Sequence, residues 1–287
     1  MSPPTGRKPD SGSAFRPVGR LCLTFDNLGE AAELEMGALA TGVPLGRHQT
    51  ALEVVPRLLG QLDQRGIAAT FFVEGLNAEL YPDLLGEIDA RGHEVAYHAW
   101  RHEQWAELSA GEQAANLERG IAAFGRLGLG IAGLRPPGGQ LGAGGTRVLR
   151  EAGLSYCSPA GAGAGFADGV ALLPFEWRHV DASCVLPARE QIGGSGDPVE
   201  PAAFATWLIA EIDRLAETGG YMAIVLHPFM LGWLGEEPLA ALLDRVAEAA
   251  AGDDVWVARC AEVAEHVGAQ SECFESGTVL DSTSWGG

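Results

Sequence analysis

Four apolar runs in this sequence end on residues that can do chemistry. Asp26 closes "LCLTF", His98 follows "EVAY", Arg135 follows "IAGL" and His227 follows "MAIVL", while His102 stands four residues beyond His98. A carboxylate can take a proton from water, an imidazole can deliver one to a leaving group or ligate a metal, and a guanidinium can clamp a carboxylate by a charge-assisted hydrogen bond. Singly, each has a plainer reading: a helix cap for the aspartate, a surface ion pair for the arginine, a hydrogen-bonded structural residue for a histidine. Together they are unusual, because bland strand ends carry Gly, Ser, Asn or Asp. The pair His98-x-x-x-His102 falls within "GHEVAYHAWRHEQW". If that segment turns helically, both imidazoles share a face and can share a cation. Catalytic zinc typically takes three protein donors and keeps one position open, so a third donor is needed. His93 is not that donor, since it precedes the strand and belongs at its opposite end.

Positioning these groups requires a sheet whose strand ends meet. "RLCLTF", "IAATFFV", "HEVAY", "IAGL", "LSYCS", "YMAIVLHP" and "VWVA" read as strands. Between them lie amphipathic stretches: "TALEVVPRLLGQLDQRG" with Gly66 as its stop, "LNAELYPDLLGEIDARG", "SAGEQAANLERGIAAFGRLG" with a Ser109/Glu112 capping box, "GGTRVLREAG", "PAAFATWLIAEIDRLAETGG" and "PLAALLDRV". Repeated β-α units predict an α/β fold with a parallel sheet and helices outside, and about seven of them favour a barrel over an open sheet. In a barrel of this kind catalytic groups project from the C-terminal strand ends, where the four residues stand. "SPAGAGAGFADG" reads as a loop, lacking the GxGxxG order and following helix of a phosphate cradle. Residues 1–17 and 271–287 read as flexible tails around one domain at 18–270.

Composition narrows the partners. With 19 Lys+Arg against 38 Asp+Glu, the net charge of −19 repels nucleic acid and anionic lipid, and no basic patch offsets it. The five cysteines lack C-x-x-C spacing, as expected of reduced core residues. No apolar run follows the N-terminal basic residues as in a signal peptide, and none approaches a membrane span, so a cytoplasmic location is expected. A small-molecule or saccharide substrate is the expected partner; the sequence leaves a homo-oligomer open.

Five motifs in order resemble those of the polysaccharide deacetylases with the NodB homology domain, carbohydrate esterase family 4. "LTFDN" (23–27) is similar to T-F-D-D, "HAWRH" (98–102) to H-x-x-x-H, "RPPGG" (135–139) to R-P-P-x-G, "EWRHVDA" (176–182) more loosely to the fourth motif and "VLHP" (225–228) to L-H-P. The resemblance implies a distorted (β/α) barrel of about seven strands that hydrolyses an N-acyl or O-acyl bond with water activated at a divalent metal, zinc in the first instance. It implies Asp26 as general base, Arg135 as its clamp, and His98 and His102 as metal ligands. It further implies the backbone N–H near Gly138 as an oxyanion donor, and His227 as general acid oriented by Asp181. Trp100 and Trp177 are candidate substrate walls. "RGHEVAYHAWRHEQW" and "LHPFMLG" look most like a branch with allantoinase-like and peptidoglycan deacetylase-like members.

One position departs from the pattern. The third ligand of the family is an aspartate, and here Asn27 stands in its place. A neutral amide oxygen offers a divalent cation less than a carboxylate. Asn27 could coordinate weakly, Glu30 or Glu33 could substitute, or the site could work without metal. Gly138, where the family often has an aromatic residue, would widen the pocket. Three readings follow: a metal-dependent hydrolase of an N-acyl sugar or small amide, a hydrolase of cyclic amides, imides or ureides with little need of metal, and a binding module on a degenerate barrel.

Overall fold

In a computed structural model, residues 18–40, 42–185, 198–274 and 277–283 are described. Eleven strands form: β1 (Gly19–Asp26), β2 (Thr70–Val73), β3 (Glu94–Tyr97), β4 (Gly133–Leu134), β5 (Tyr156–Cys157), β6 (Gly161–Ala162), β7 (Gly165–Ala167), β8 (Val170–Leu172), β9 (Gly220–Leu226), β10 (Val255–Val257) and β11 (Val279–Leu280). Nine of them make one sheet. β1 is its hub. One edge pairs with β9 along Gly19–Phe25; the other is shared, with β10 on Gly19–Leu21 and β2 on Thr24–Asp26. The sheet continues through β3, β4, β5 and β8 in parallel, and β7 adds an antiparallel edge. A parallel bridge between Val180 and Val225 brings the chain after β8 back to β9 and draws the sheet round. The result is a distorted (β/α) barrel with eight parallel strands where about seven were expected.

The period-2 alternation of strands decides what faces inward. On β1, Leu21, Leu23 and Phe25 belong to the larger core under the helices, while Cys22 belongs to a second core with Phe72, Ala96, Tyr156, Ala223 and Val225. That second set lies inside the barrel. Following its parity upward leads to Asp26 on β1, Glu74 after β2, His98 after β3, Ser158 after β5 and His227 after β9. One alternation thus packs the helices with Leu, Val and Phe and aims polar groups at one mouth.

The helices keep most of the expected bounds. Val55–Arg65 stops at Gly66, whose φ of 64° is the left-handed cap, and Ala110–Gly125 opens on the Ser109/Glu112 capping box. Pro82 splits one expected helix into Gly75–Leu80 and Pro82–Ala90, because it starts a helix well but removes the N–H an interior turn needs. "PLAALLDRV" extends to Glu236–Ala251, and Cys260–Ala269 adds a helix not anticipated after the last strand.

Two regions differ from the sequence reading. The expected loop after β5 contains β6 and β7, and β7 turns into β8 through Asp168 and Gly169, both at positive φ (52° and 86°), as a tight hairpin requires. The stretch from 271, expected as a tail, carries a short helix at Ser271–Phe274 and then β11, which pairs antiparallel with β6. The edge of β6 offers backbone partners that composition does not reveal. The expected N-terminal tail, residues 1–17, lies outside the described residues. Among the described residues, no helix is long and apolar enough to cross a membrane.

Candidate active site

Asp26, Asn27, His98, His102, Arg135, Gly138, Trp177 and His227 all line one cavity of about 240 Å³ at the mouth of the barrel. Seven of the eight follow strand ends or motifs read from the sequence, and Trp177 follows the loosest of the motifs.

Asp26 and Arg135 form a buried pair. Arg135 Nη1 donates to Asp26 Oδ1 at 2.6 Å and to Thr24 Oγ1 at 2.8 Å, while Nη2 donates to Ser158 Oγ at 3.0 Å. The guanidinium lies over the Phe72 ring, 4.1 Å from its centroid. Held against the Phe72 ring and at its fork, Arg135 fixes the Asp26 carboxylate with Oδ2 turned toward the histidines, 4.0 Å from His98 Nε2.

The histidine pair meets, but not on a helix. Ala99 and His102 have φ of 62° and 73°, so the segment is a loop that doubles back. Gly75 N–H and Leu76 N–H hold it by donating to the carbonyls of Ala99 and Trp100. The imidazole centroids of His98 and His102 stand 4.9 Å apart. His98 Nδ1 lies 2.8 Å from the Arg135 carbonyl, which can only accept, so Nδ1 carries the proton and Nε2 keeps its lone pair. Burial pushes His98 down to about 3, and His102 is lowered by the same desolvation and by His98 beside it. Two neutral imidazoles are what a metal requires of nitrogen donors.

Asn27 lines the same cavity. Its φ of 61° is a left-handed position that asparagine tolerates, and its Oδ1 is buried without a hydrogen-bond partner. The proposed substitutes are engaged elsewhere: Glu30 accepts from Tyr81 OH and from Gly46 N–H, and Glu33 faces His48. No group of three His, Cys, Asp or Glu converges on a metal position among the described residues. Two imidazoles and an unpaired amide oxygen nonetheless fit a divalent cation, with the modest affinity expected of a set lacking a carboxylate.

At the end of β9, beside β1, His227 Nδ1 lies 2.6 Å from Asp181 Oδ1, and the His227 N–H donates to Asp181 Oδ2 at 2.7 Å. Ala182 N–H also donates to Asp181. Burial alone would lower the His227 pKa, but the adjoining Asp181 carboxylate outweighs it and the net shift is upward. Asp181 thus engages Nδ1 and favours the protonated ring, and Nε2 is left for the cavity.

Gly138 and Gly139 adopt φ of 75° and 81°, and a side chain at Gly139 would strike Ala160 and Trp177. Trp177 donates from Nε1 to the Thr283 carbonyl and turns its ring to the cavity. Trp100 does not reach it: the indole packs on Gly75 and beneath the Arg119 guanidinium, 3.5 Å from its centroid. The positive φ at Ala99 turns it away from the mouth. Sequence reading passed over Glu74, although it follows "IAATFFV" as Asp26 follows "LCLTF". It is fully buried, pushed up to about 8 chiefly by desolvation with Asp26 adding to it, and Asn77 Nδ2 donates to one of its oxygens while the other is unpaired. Phe175, Val180, Val185 and Phe229 also line the cavity and had no sequence signal beyond being apolar.

The family model for polysaccharide deacetylase matches residues 18–157, from β1 through β5. A solved Mycobacterium smegmatis protein of polysaccharide deacetylase type is 28% identical, with 98% of each chain covered and a TM-score of 0.74. The Puue allantoinase is 20% identical, covering 92% of this chain and 94% of its own, with a TM-score of 0.69. A family 4 carbohydrate esterase from Streptomyces lividans, solved with acetate, is 19% identical over 84% of this chain and 93% of its own, with a TM-score of 0.50. No match is found among curated proteins. With the first three motifs inside the matched span and the barrel shared from end to end with the mycobacterial protein, this chain is similar to the polysaccharide deacetylases, hydrolases that act on carbon–nitrogen bonds.

Proposed function

We propose that the protein is a metal-assisted amide hydrolase that deacylates an N-acyl sugar or small amide. The observation that carries this reading is the convergence on one cavity, from the ends of the paired strands β1 and β9, of a clamped carboxylate (Asp26 with Arg135) and a carboxylate-backed imidazole (His227 with Asp181). Amide hydrolysis needs both: water must lose a proton as it attacks, and the departing nitrogen must gain one. Asp26 Oδ2 takes the first proton, with Arg135 keeping the carboxylate oriented. His227 Nε2 gives the second, and Asp181 stabilises the imidazolium until it does. The Gly138 N–H would donate to the oxygen that becomes negatively charged. His98, His102 and Asn27 would hold a divalent cation, zinc first, which when bound supplies Lewis acidity to water and to the carbonyl oxygen.

Asn27 favours a second reading, in which a cyclic amide, imide or ureide is opened with little dependence on metal. Ring opening still uses the same base and acid. The two separate on chelation: a purified, metal-stripped sample should lose activity and regain it with added zinc, whereas full activity without metal supports the second reading. In either case Asp26→Ala should lower kcat by about a thousandfold or more with an unchanged circular dichroism spectrum. Unchanged turnover in that variant removes Asp26 as the base.

A further inference from the structure

We infer that the substrate is a compact amide bearing an apolar aryl or branched alkyl group, rather than a saccharide; this rests on the reading of the cavity as an amide hydrolase site. The lining is of two kinds. Asp26, Asn27, His98, His102, Arg135 and His227 are the groups the reaction itself occupies. Apart from Gln104, the rest of the described lining offers a substrate hydrocarbon, ring and backbone, Phe175, Val180, Val185, Val225 and Phe229 among it. Among the described lining residues, Gln104 is the one polar side chain left over to read a hydroxyl. Trp177 does not add a donor, since its Nε1 already donates to the Thr283 carbonyl.

A saccharide brings a hydroxyl on nearly every ring carbon. Sugar sites pair an aromatic platform with a surrounding set of polar side chains; among the described residues, this lining has the platform without the set. Each hydroxyl pressed against an apolar wall without a partner weakens binding about five- to a hundredfold, and several would have to be accommodated. An aryl or alkyl group instead gains from the same wall in proportion to the area it covers. The cavity, at about 240 Å³, is also below the roughly 300–1,000 Å³ of most small-molecule sites, which limits the group to about one ring. Phe229, half-exposed at 51%, forms the outer lip and is the wall residue that can be altered without disturbing the core.

The test compares binding, not turnover. Acetanilide and N-acetylglucosamine, which share the acetamide, are titrated by calorimetry into the zinc-supplemented full chain and into Phe229→Ser. Acetanilide should bind at least about tenfold tighter than the sugar, and Phe229→Ser should weaken acetanilide by about three- to tenfold while leaving the sugar unchanged. Equal or tighter binding of the sugar, binding of neither at millimolar concentration, or acetanilide binding indifferent to Phe229→Ser overturns the inference. Hydrolysis assayed on the same samples keeps the two readings apart. Acetanilide bound as expected but never cleaved leaves the apolar site standing and counts against the hydrolase reading, whereas a sugar bound and deacetylated does the reverse.

Discussion

β3 begins with one buried histidine and ends with another. His93 precedes it and His98 follows it, both are almost fully buried, and desolvation lowers both, to about 4 and about 3. What separates them is the direction of one hydrogen bond. At His93, Nδ1 accepts from the Ala69 N–H at 3.2 Å, so its lone pair is used within the fold and the ring is a strut between β2 and β3. At His98, Nδ1 donates to the Arg135 carbonyl, so the free lone pair sits on Nε2, facing Asp26 and the cavity. Burial and a depressed pKa therefore do not identify a ligand; the partner that consumes or spares the lone pair does.

The sharpest way to break this comparison is to change both ends alike. His98→Gln should lower kcat/KM by about a thousandfold or more and weaken zinc binding measured by competition with a chelator, with the thermal midpoint changed little. His93→Gln should leave zinc affinity and kcat/KM near those of the wild type but cost about 1–3 kcal/mol of stability, read from urea unfolding. Loss of activity in a folded His93→Gln protein would show that the two ends are not separable.

A pH titration sharpens the same contrast. His93 is lowered in the folded state, so the unfolded chain takes up its proton first as pH falls. Its contribution is complete above about 6.5 and is lost between there and about 4, by up to about 3 kcal/mol. The urea midpoint should drop over that window, and His93→Gln should flatten the drop. His227 runs the other way. Its folded pKa is raised, so the favourable imidazolium–Asp181 pairing is complete below about 6.5 and is lost as pH rises through the folded value. The alkaline limb of kcat/KM should lie above about 6.5 and move downward in Asp181→Asn. The smallest effect is expected at Trp100, which shares the loop of His98 without reaching the cavity: Trp100→Phe should change KM by less than about threefold. A larger change would make the indole part of the wall after all.

Much of this was legible in the sequence, for an identifiable reason. Asp26, His98, Arg135 and His227 stand where apolar runs stop, and in a parallel barrel stopping points share a rim, so local pattern alone collects them. Asp181 and Gly138 came only with the motif resemblance, because neither ends a strand. Glu74 ends one and was passed over, since it belongs to none of the five motifs. What was not legible depended on backbone handedness and on contacts distant in sequence. Spacing suggested a helical turn for His98 and His102, whereas positive φ at Ala99 and His102 forms a loop that happens to bring the rings equally close. β11 finds β6 more than a hundred residues away, and composition carries no trace of that pairing.

Arg135 also bears on how the protein acquires activity as it folds. Its side chain binds Thr24 and Asp26 of β1 and Ser158 beyond β5, and its own carbonyl sets the tautomer of His98 after β3. Until strands from four separate parts of the chain have come together, Asp26 has no clamp and the tautomer of His98 is not fixed. A partly closed barrel is then catalytically silent rather than sluggish. During refolding from urea, regain of turnover should coincide with the last structural phase and trail the return of helical signal.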